Sequence, residues 1–131
     1  MKLGNQIKII LIINFIFSFL ISYNLKAENK LGNSVILGAL DKITAKFSDL
    51  NVDVGESINF GSLNITIFEC QKRPPEEIPE DFILLKIDDE INKNNKINVF
   101  SGWMLSSSPS LSSLEHSTYD VWAKECIITD F

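Results

Sequence analysis

One arginine and one histidine occur in the whole chain, cysteine occurs only twice, and no basic residues cluster into a run. Phosphate backbones are bound chiefly by lysine and arginine that displace counterions, so Arg73 by itself makes nucleic acid an improbable partner. The two cysteines, Cys70 and Cys126, are far apart and lack the close pairs that zinc sites use. Neither sits in a Cys-x-x-Cys pair. Any enzyme mechanism must pass through His116, and the chain has no Gly-x-Ser-x-Gly elbow to go with it. No internal repeat is visible. No apolar run reaches the ~20 residues that a membrane-crossing helix needs.

What is there begins at the front. Lys2 and Lys8 precede the apolar run Ile9-Ile10-Leu11-Ile12-Ile13, which continues to Ile21 with Asn14 and Ser18 inside it and closes at Leu25-Lys26-Ala27. This is the pattern of a secretory signal peptide covering residues 1–27. An uncleaved N-terminal anchor is the alternative, and would be the only contact with a membrane. A lipid-modified N-terminus is not expected, because the first cysteine is Cys70. Export implies an oxidising, periplasmic compartment, where an even cysteine count makes a disulfide the default expectation over a metal site. Such a bridge would stabilise the fold by ~4 kcal/mol in the chain-entropy model. Loss of Lys2, Lys8 and Lys26 with the leader takes the formal net charge from −5 to −8, which supports solubility and disfavours adsorption to anionic lipid.

The remaining length permits one domain with a single core. Residues 28–34 are polar and are expected as a flexible lead-in, with a single β domain over 35–131. Asp41-Lys42 reads as a turn, and Ile43, Ala45 and Phe47 alternate with polar residues as a strand. Val52 and Val54 make a second run ended by Gly55-Glu56, and Ile58 and Phe60 begin a third. Gly61-Ser62 suits a two-residue type II′ hairpin. A strand follows with Leu63, Ile65 and Ile67 on one side and Thr66, Phe68 and Cys70 on the other. The prolines of Arg73-Pro74-Pro75-Glu76-Glu77-Ile78-Pro79 predict a loop, since proline lacks the amide donor of a ladder.

Phe82 to Ile87 is the next strand, and Asp88-Asp89-Glu90 with Asn92, Asn94 and Asn95 reads as a solvated hairpin tip. A calcium loop is not favoured there, because the glycine and the terminal glutamate are missing. Ile97 to Met104 is apolar on both faces near its end, which predicts a central strand. Ser108 and Pro109 open a short helix with Leu111 and Leu114 on one face and His116 near its last carbonyls. In the last strand, Tyr119 to Ile128, Tyr119, Val121 and Ala123 face one way and Asp120, Trp122, Lys124 and Cys126 the other. Seven or eight short strands with one short helix and a single disulfide make an all-β barrel or sandwich.

Chemistry is harder to find. His116 could join Asp120 and one of Ser106, Ser107 or Ser108, but the serines are explained by a turn and a cap, and no oxyanion donor can be nominated. Glu115 and Asp120 lie near aromatics that could stack on sugar rings, without a cleft-scale supply of either residue type. Asn64-Ile65-Thr66 matches a glycosylation acceptor but falls within a strand. Both tryptophans lie in the C-terminal third, where they serve either as core or as a recognition surface.

Phe100-Ser101-Gly102-Trp103-Met104, Ser107-Ser108-Pro109, Leu114-Glu115-His116 and Tyr119-Asp120-Val121-Trp122 ending in Cys126 resemble one known family. Leu40-Asp41-Lys42-Ile43-Thr44, Phe60-Gly61-Ser62-Leu63 and Cys70 followed by Arg73-Pro74-Pro75 match its pattern in order. It is a family of small secreted domains of unknown function found largely in alphaproteobacteria. One departure is Ser117, where the family usually has proline after the histidine. The resemblance implies an envelope location and a Cys70–Cys126 bridge. It implies no activity.

The function expected is therefore a non-enzymatic periplasmic binding or envelope-assembly module. Its candidate surface is Trp103, His116, Tyr119, Asp120 and Trp122, with Arg73 on the proline-rich loop as a second contact. The partner is an unidentified envelope protein or ligand, and neither cofactor nor metal is expected. The alternative is a small hydrolase of envelope material that uses Glu115, His116 and Asp120.

Overall fold

A computed structural model describes residues 2–20, 27–92 and 94–129. Leu25 and Lys26 of the expected cleavage site lie outside the described residues. The elements in order are α1 (Lys2–Leu20), β1 (Lys30–Leu31), β2 (Ser34–Asp41), β3 (Lys46–Asp53), β4 (Ser57–Phe60) and β5 (Leu63–Lys72). They continue with β6 (Asp81–Asn92), β7 (Asn95–Leu105), α2 (Pro109–Ser112), β8 (Leu114–Glu115) and β9 (Tyr119–Ile127). Among the described residues no helix is long and apolar enough to cross a membrane.

The strands form two antiparallel sheets, an open sandwich and not a closed barrel. One runs β1-β5-β6-β7 with β4 also paired to β5, and the other runs β3-β2-β9-β8. Alternation dictates the core, because every second side chain of a strand points to the same face. Leu63, Ile65, Ile67, Ile83, Leu85, Ile87 and Met104 from the first sheet meet Val35, Leu37, Ala39, Val52, Val121 and Ala123 from the second, all buried. Each large aliphatic side chain taken fully from water stabilises the fold by about 1.5–3 kcal/mol.

The β4–β5 hairpin is the expected one. Phe60 pairs with Leu63 across Gly61-Ser62, and of these two only Gly61 has a positive φ, of 59°. The first hairpin differs from expectation. The strand expected over 43–48 is instead the turn 42–45 followed by β3, and Val35 to Leu40, to which periodicity assigns no strand, is the central strand β2. The Asp41 carboxylate accepts from the amides of Ile43 at 2.9 Å and Thr44 at 3.2 Å, which folds the chain back at that point. The Thr44 amide holds the Asp41 carboxyl below its ordinary value. Ile43 is 79% exposed, so it belongs to no core face.

Three further expectations are corrected. Asp88-Asp89-Glu90 lies in β6 and not in the hairpin tip, with Asp89 buried. β7 is an edge strand and not a central one. Its two apolar faces arise because the outer one carries an uncovered patch. After α2, Leu114 is buried while Leu111 is 82% exposed, and Ser108 makes no side-chain cap.

Cys70 and Cys126 are joined by a disulfide that ties β5 to β9, and thus one sheet to the other. Both were expected on the faces opposite the core residues of their strands. Each strand carries a bulge that reverses this. In β5, Ile67 pairs with Leu85 but Glu69 with Leu84, so Phe68 is the extra residue. In β9, Ala123 pairs with Leu37 but Glu125 with Ile36, so Lys124 is extra. One added residue shifts the phase of everything after it, and both sulfurs turn inward to complete burial. Gly32 passes over the bridge, where a Cβ would stand 2.3 Å from Cys126 Sγ. Lys30 and Leu31 of the polar lead-in pair with Lys72 and Gln71.

Candidate functional site

The six candidate residues occupy three separate places. His116, Tyr119 and Asp120 gather at the start of β9. His116 Nε2 lies 3.2 Å from Asp89 Oδ2, and its Nδ1 accepts the Thr118 amide at 3.3 Å, which leaves the ring proton on Nε2. The Tyr119 ring stacks on the imidazole at 5.9 Å and meets Phe60 edge-on at 5.4 Å. Gly61 makes room for it, since a Cβ there would stand 2.2 Å from the phenol oxygen. Lys42 bridges the group, forming an ion pair with Asp120 at 2.7 Å and donating to the His116 carbonyl at 2.8 Å. His116 thus faces Asp89 and not the last carbonyls of α2, and Asp120 faces Lys42 and not the histidine. Glu115 is exposed on β8.

Trp122 lies on the outer face of the four-stranded sheet. Its indole covers Gly38, where a Cβ would come within 2.4 Å of the ring, and it stacks on Phe47 at 5.8 Å. Lys124 closes the edge, bonding Asp49 at 2.8 Å with its ammonium 5.4 Å above the Phe47 ring.

Trp103 and Arg73 belong to the other outer face. Register divides that face into two halves. At one end Thr66, Lys86 and Ser101 form one row and Asn64, Asp88 and Asn98 the next. These polar groups satisfy each other: Thr66 bonds Ser57, Asn64 bonds Asn59, and Asp88 receives Lys86 at 2.8 Å and Asn98 at 3.1 Å. The Lys86 ammonium, with Asn98, holds the Asp88 carboxyl below its ordinary value. At the other end Leu31, Gln71, Phe82 and Leu105 form a row beside that of Glu69, Leu84 and Trp103. Trp103 is 40% exposed, Phe68 53% and Leu31 64%. The Arg73 guanidinium lies 5.4 Å above the Phe82 ring.

This apolar end contains a shallow depression of about 380 Å³ lined by Asn29, Gln71, Phe82, Trp103 and Leu105. A cleft of about 280 Å³ adjoins it around Arg73, Lys72, Lys30 and the three prolines of the loop. Neither tryptophan is part of the core. The residues that complete the patch, Phe68, Phe82, Leu84 and Leu105, were not singled out from the sequence. The signal was present in Phe82-Ile83-Leu84-Leu85, which is apolar at odd and even positions alike and so supplies both faces of its sheet.

Glu80 and Asp81 anchor the turn behind this face. Glu80 accepts from the Ser107 amide at 3.0 Å, from Ser106 Oγ at 3.2 Å and from the Ser107 hydroxyl, while Asp81 accepts from the Cys126 amide at 3.1 Å. Burial alone would push the Glu80 carboxyl up, and the hydrogen bonds from Ser107 and Ser106 outweigh it, holding the group below its ordinary value. The serines that a catalytic constellation would need are engaged in this turn.

Comparison with known proteins gives a family without an activity. The chain is 33% identical over 104 residues to an uncharacterized protein of Rickettsia prowazekii (strain Madrid E), in an alignment covering 79% of this chain and 66% of that one. The chain thus spans slightly less than two thirds of the length of that relative. No solved structure matches. A family model described as an uncharacterized protein conserved in bacteria matches residues 35–126, from β2 to the second cysteine, and the chain therefore belongs to that family, DUF2155.

Proposed function

We propose that this protein is an exported, periplasmic domain that acts by binding, as a non-enzymatic module of the bacterial envelope. The observation that carries this is the divided outer face of the five-stranded sheet. Its polar half is internally satisfied, and its apolar half leaves Trp103, Phe68 and Leu31 uncovered beside Arg73. Aromatic residues and arginine concentrate at contact surfaces, and an exposed apolar patch on a small domain marks a place of interaction. Export is supported by the leader pattern, by α1 with apolar side chains exposed on all sides, and by the buried disulfide.

A hydrolase built on Glu115, His116 and Asp120 finds no such support. Both imidazole nitrogens have partners within the protein, and Asp120 is paired with Lys42. The test is in intact cells, with a photoreactive residue placed at Trp103 or, on the opposite outer face, at Lys124. Adducts are expected from Trp103 and not from Lys124, in a periplasmic protein with no free thiol. Equal labelling at the two positions, or a cytosolic protein with reduced cysteines, overturns the proposal.

A further inference from the structure

We infer that the occupant of the apolar patch is the surface of the lipid bilayer, a step that rests on the binding and export proposed above and on α1 being kept as an anchor, the alternative to its removal as a leader. The chain itself indicates this partner. α1 exposes Ile7, Ile9 to Ile13 and Phe15 to Phe17, consecutive positions that cover every side of the helix. A helix apolar all round belongs in an apolar medium, and lipid is the medium an exported leader meets.

From α1 the chain enters the domain at the patch and nowhere else. Asn29 bonds Gln71 at 3.1 Å and lines the depression with Phe82 and Trp103, and Leu31 lies in the first apolar row. Eight residues of sequence separate Leu20 from Asn29, and a chain of that length reaches no more than about 30 Å. While α1 is in lipid, this face is held within that distance of the bilayer, and the effective concentration of lipid at the patch is correspondingly high.

The patch has the composition of a membrane interface. Trp103 supplies an indole with one polar edge, Phe68, Leu31, Phe82, Leu84 and Leu105 supply apolar area, Glu69 and Gln71 bond each other within it, and Arg73 stands at the margin. Tryptophan concentrates at the headgroup level of bilayers for this reason. The domain is acidic as a whole, and its attachment is accordingly apolar rather than electrostatic.

The two tryptophans lie on opposite outer faces and α1 contains none, so the full chain carries its own orientation probe. The full-length protein is reconstituted into vesicles of phosphatidylcholine brominated along the acyl chains. Trp122→Phe leaves Trp103 as the reporter, and Trp103→Phe leaves Trp122. Quenching of Trp103 by at least about twofold, with Trp122 unaffected, is the expected result for a face resting at the interface. Equal quenching of the two, or none of Trp103, overturns the inference. Should either variant not fold, a photoreactive residue at Phe68 or, on the other sheet, at Asn51 reads the same contrast with both tryptophans in place. Lipid adducts from Phe68 alone support the inference, whereas adducts to a second copy or to another protein overturn it. Protein adducts at Trp103 in cells, without lipid quenching in vesicles, overturn the membrane as partner and leave the binding role standing.

Discussion

Cys126 stands opposite Cys70, with Cα atoms 5.7 Å apart, because each strand carries one residue too many before its cysteine. In uninterrupted strands both would point to solvent on opposite outer faces. The bulges at Phe68 and Lys124 are therefore a matched pair, and with this number of residues in each strand the bridge requires both. Covalent closure between sheets depends here on strand phase more than on cysteine position.

Deletion of Phe68 is accordingly expected to keep the disulfide, as is Phe68→Ala. The deletion removes the extra residue, so that β5 alternates strictly with Ile67 inward, Glu69 outward and Cys70 inward, whereas the alanine retains the bulge and removes only an exposed ring. Thiol titration of both variants after oxidative expression checks this. Free thiols in the deletion variant would show that the bulge itself, and not the phase of the strand, positions Cys70.

Gly32→Ala is expected to destabilise the protein by about 1–3 kcal/mol through overpacking. The added methyl would meet Cys126 Sγ at 2.3 Å and Cys70 Sγ at 2.4 Å, atoms fixed by their own bond and unable to withdraw. Denaturant unfolding with and without reductant is the measurement. Reduction frees the sulfurs to move, so the penalty shrinks in reductant. A penalty unchanged by reduction means that Gly32 matters for another reason.

How much of this was legible in the sequence follows from periodicity. The β4–β5 hairpin, the core faces of Leu63 to Ile67 and the proline loop rest on local patterns that the fold preserves, and the disulfide rests on the count of two cysteines. β2 was missed because Val35 to Leu40 is apolar at every position, a run without period that only its central place in the sheet explains. The face of Cys70 was misassigned because a bulge has no signature in residue type at Phe68. Sequence grouped Trp103 with His116, Tyr119, Asp120 and Trp122 and set Arg73 apart as a second contact, whereas the structure puts Trp103 and Arg73 on one outer face and the others elsewhere. Their distances along the chain are short, and the division between two outer faces is a property of the sandwich alone.

Stability is expected to fall in acid partly through Glu80. Its folded carboxyl titrates below the ordinary value of 4.5, so the folded state takes up this proton less readily than the unfolded chain. The contribution is present in full above 4.5 and is lost as pH falls through the folded value. Glu80→Gln lacks it throughout. The variant is therefore expected to be less stable than wild type by about 1–3 kcal/mol at neutral pH, with the two curves converging below 4.5. A gap that persists into strong acid would mean that packing, and not the charge, accounts for the difference.

The His116–Asp89 pair is expected to act as a structural clasp between the segment before β9 and the far end of β6. Asp89 is buried, its Oδ2 faces the imidazole, and its Oδ1 has no hydrogen-bond partner among the described residues, so the histidine supplies the bond that offsets its burial. His116→Ala strands the carboxylate and is expected to cost about 1.5–3 kcal/mol. Asp89→Ala removes the group that needed a partner, and in the double variant the two losses should add to less than their sum by about 1 kcal/mol or more. Denaturant unfolding of the four proteins gives the coupling directly. Amide exchange adds a local readout, because His116 donates its own N–H to the Tyr119 carbonyl at 2.9 Å and that bond should open more readily once the ring is gone. Strict additivity, with exchange at His116 and its neighbours unchanged, would show that Tyr119 stacking and Lys42 hold this segment without the carboxylate.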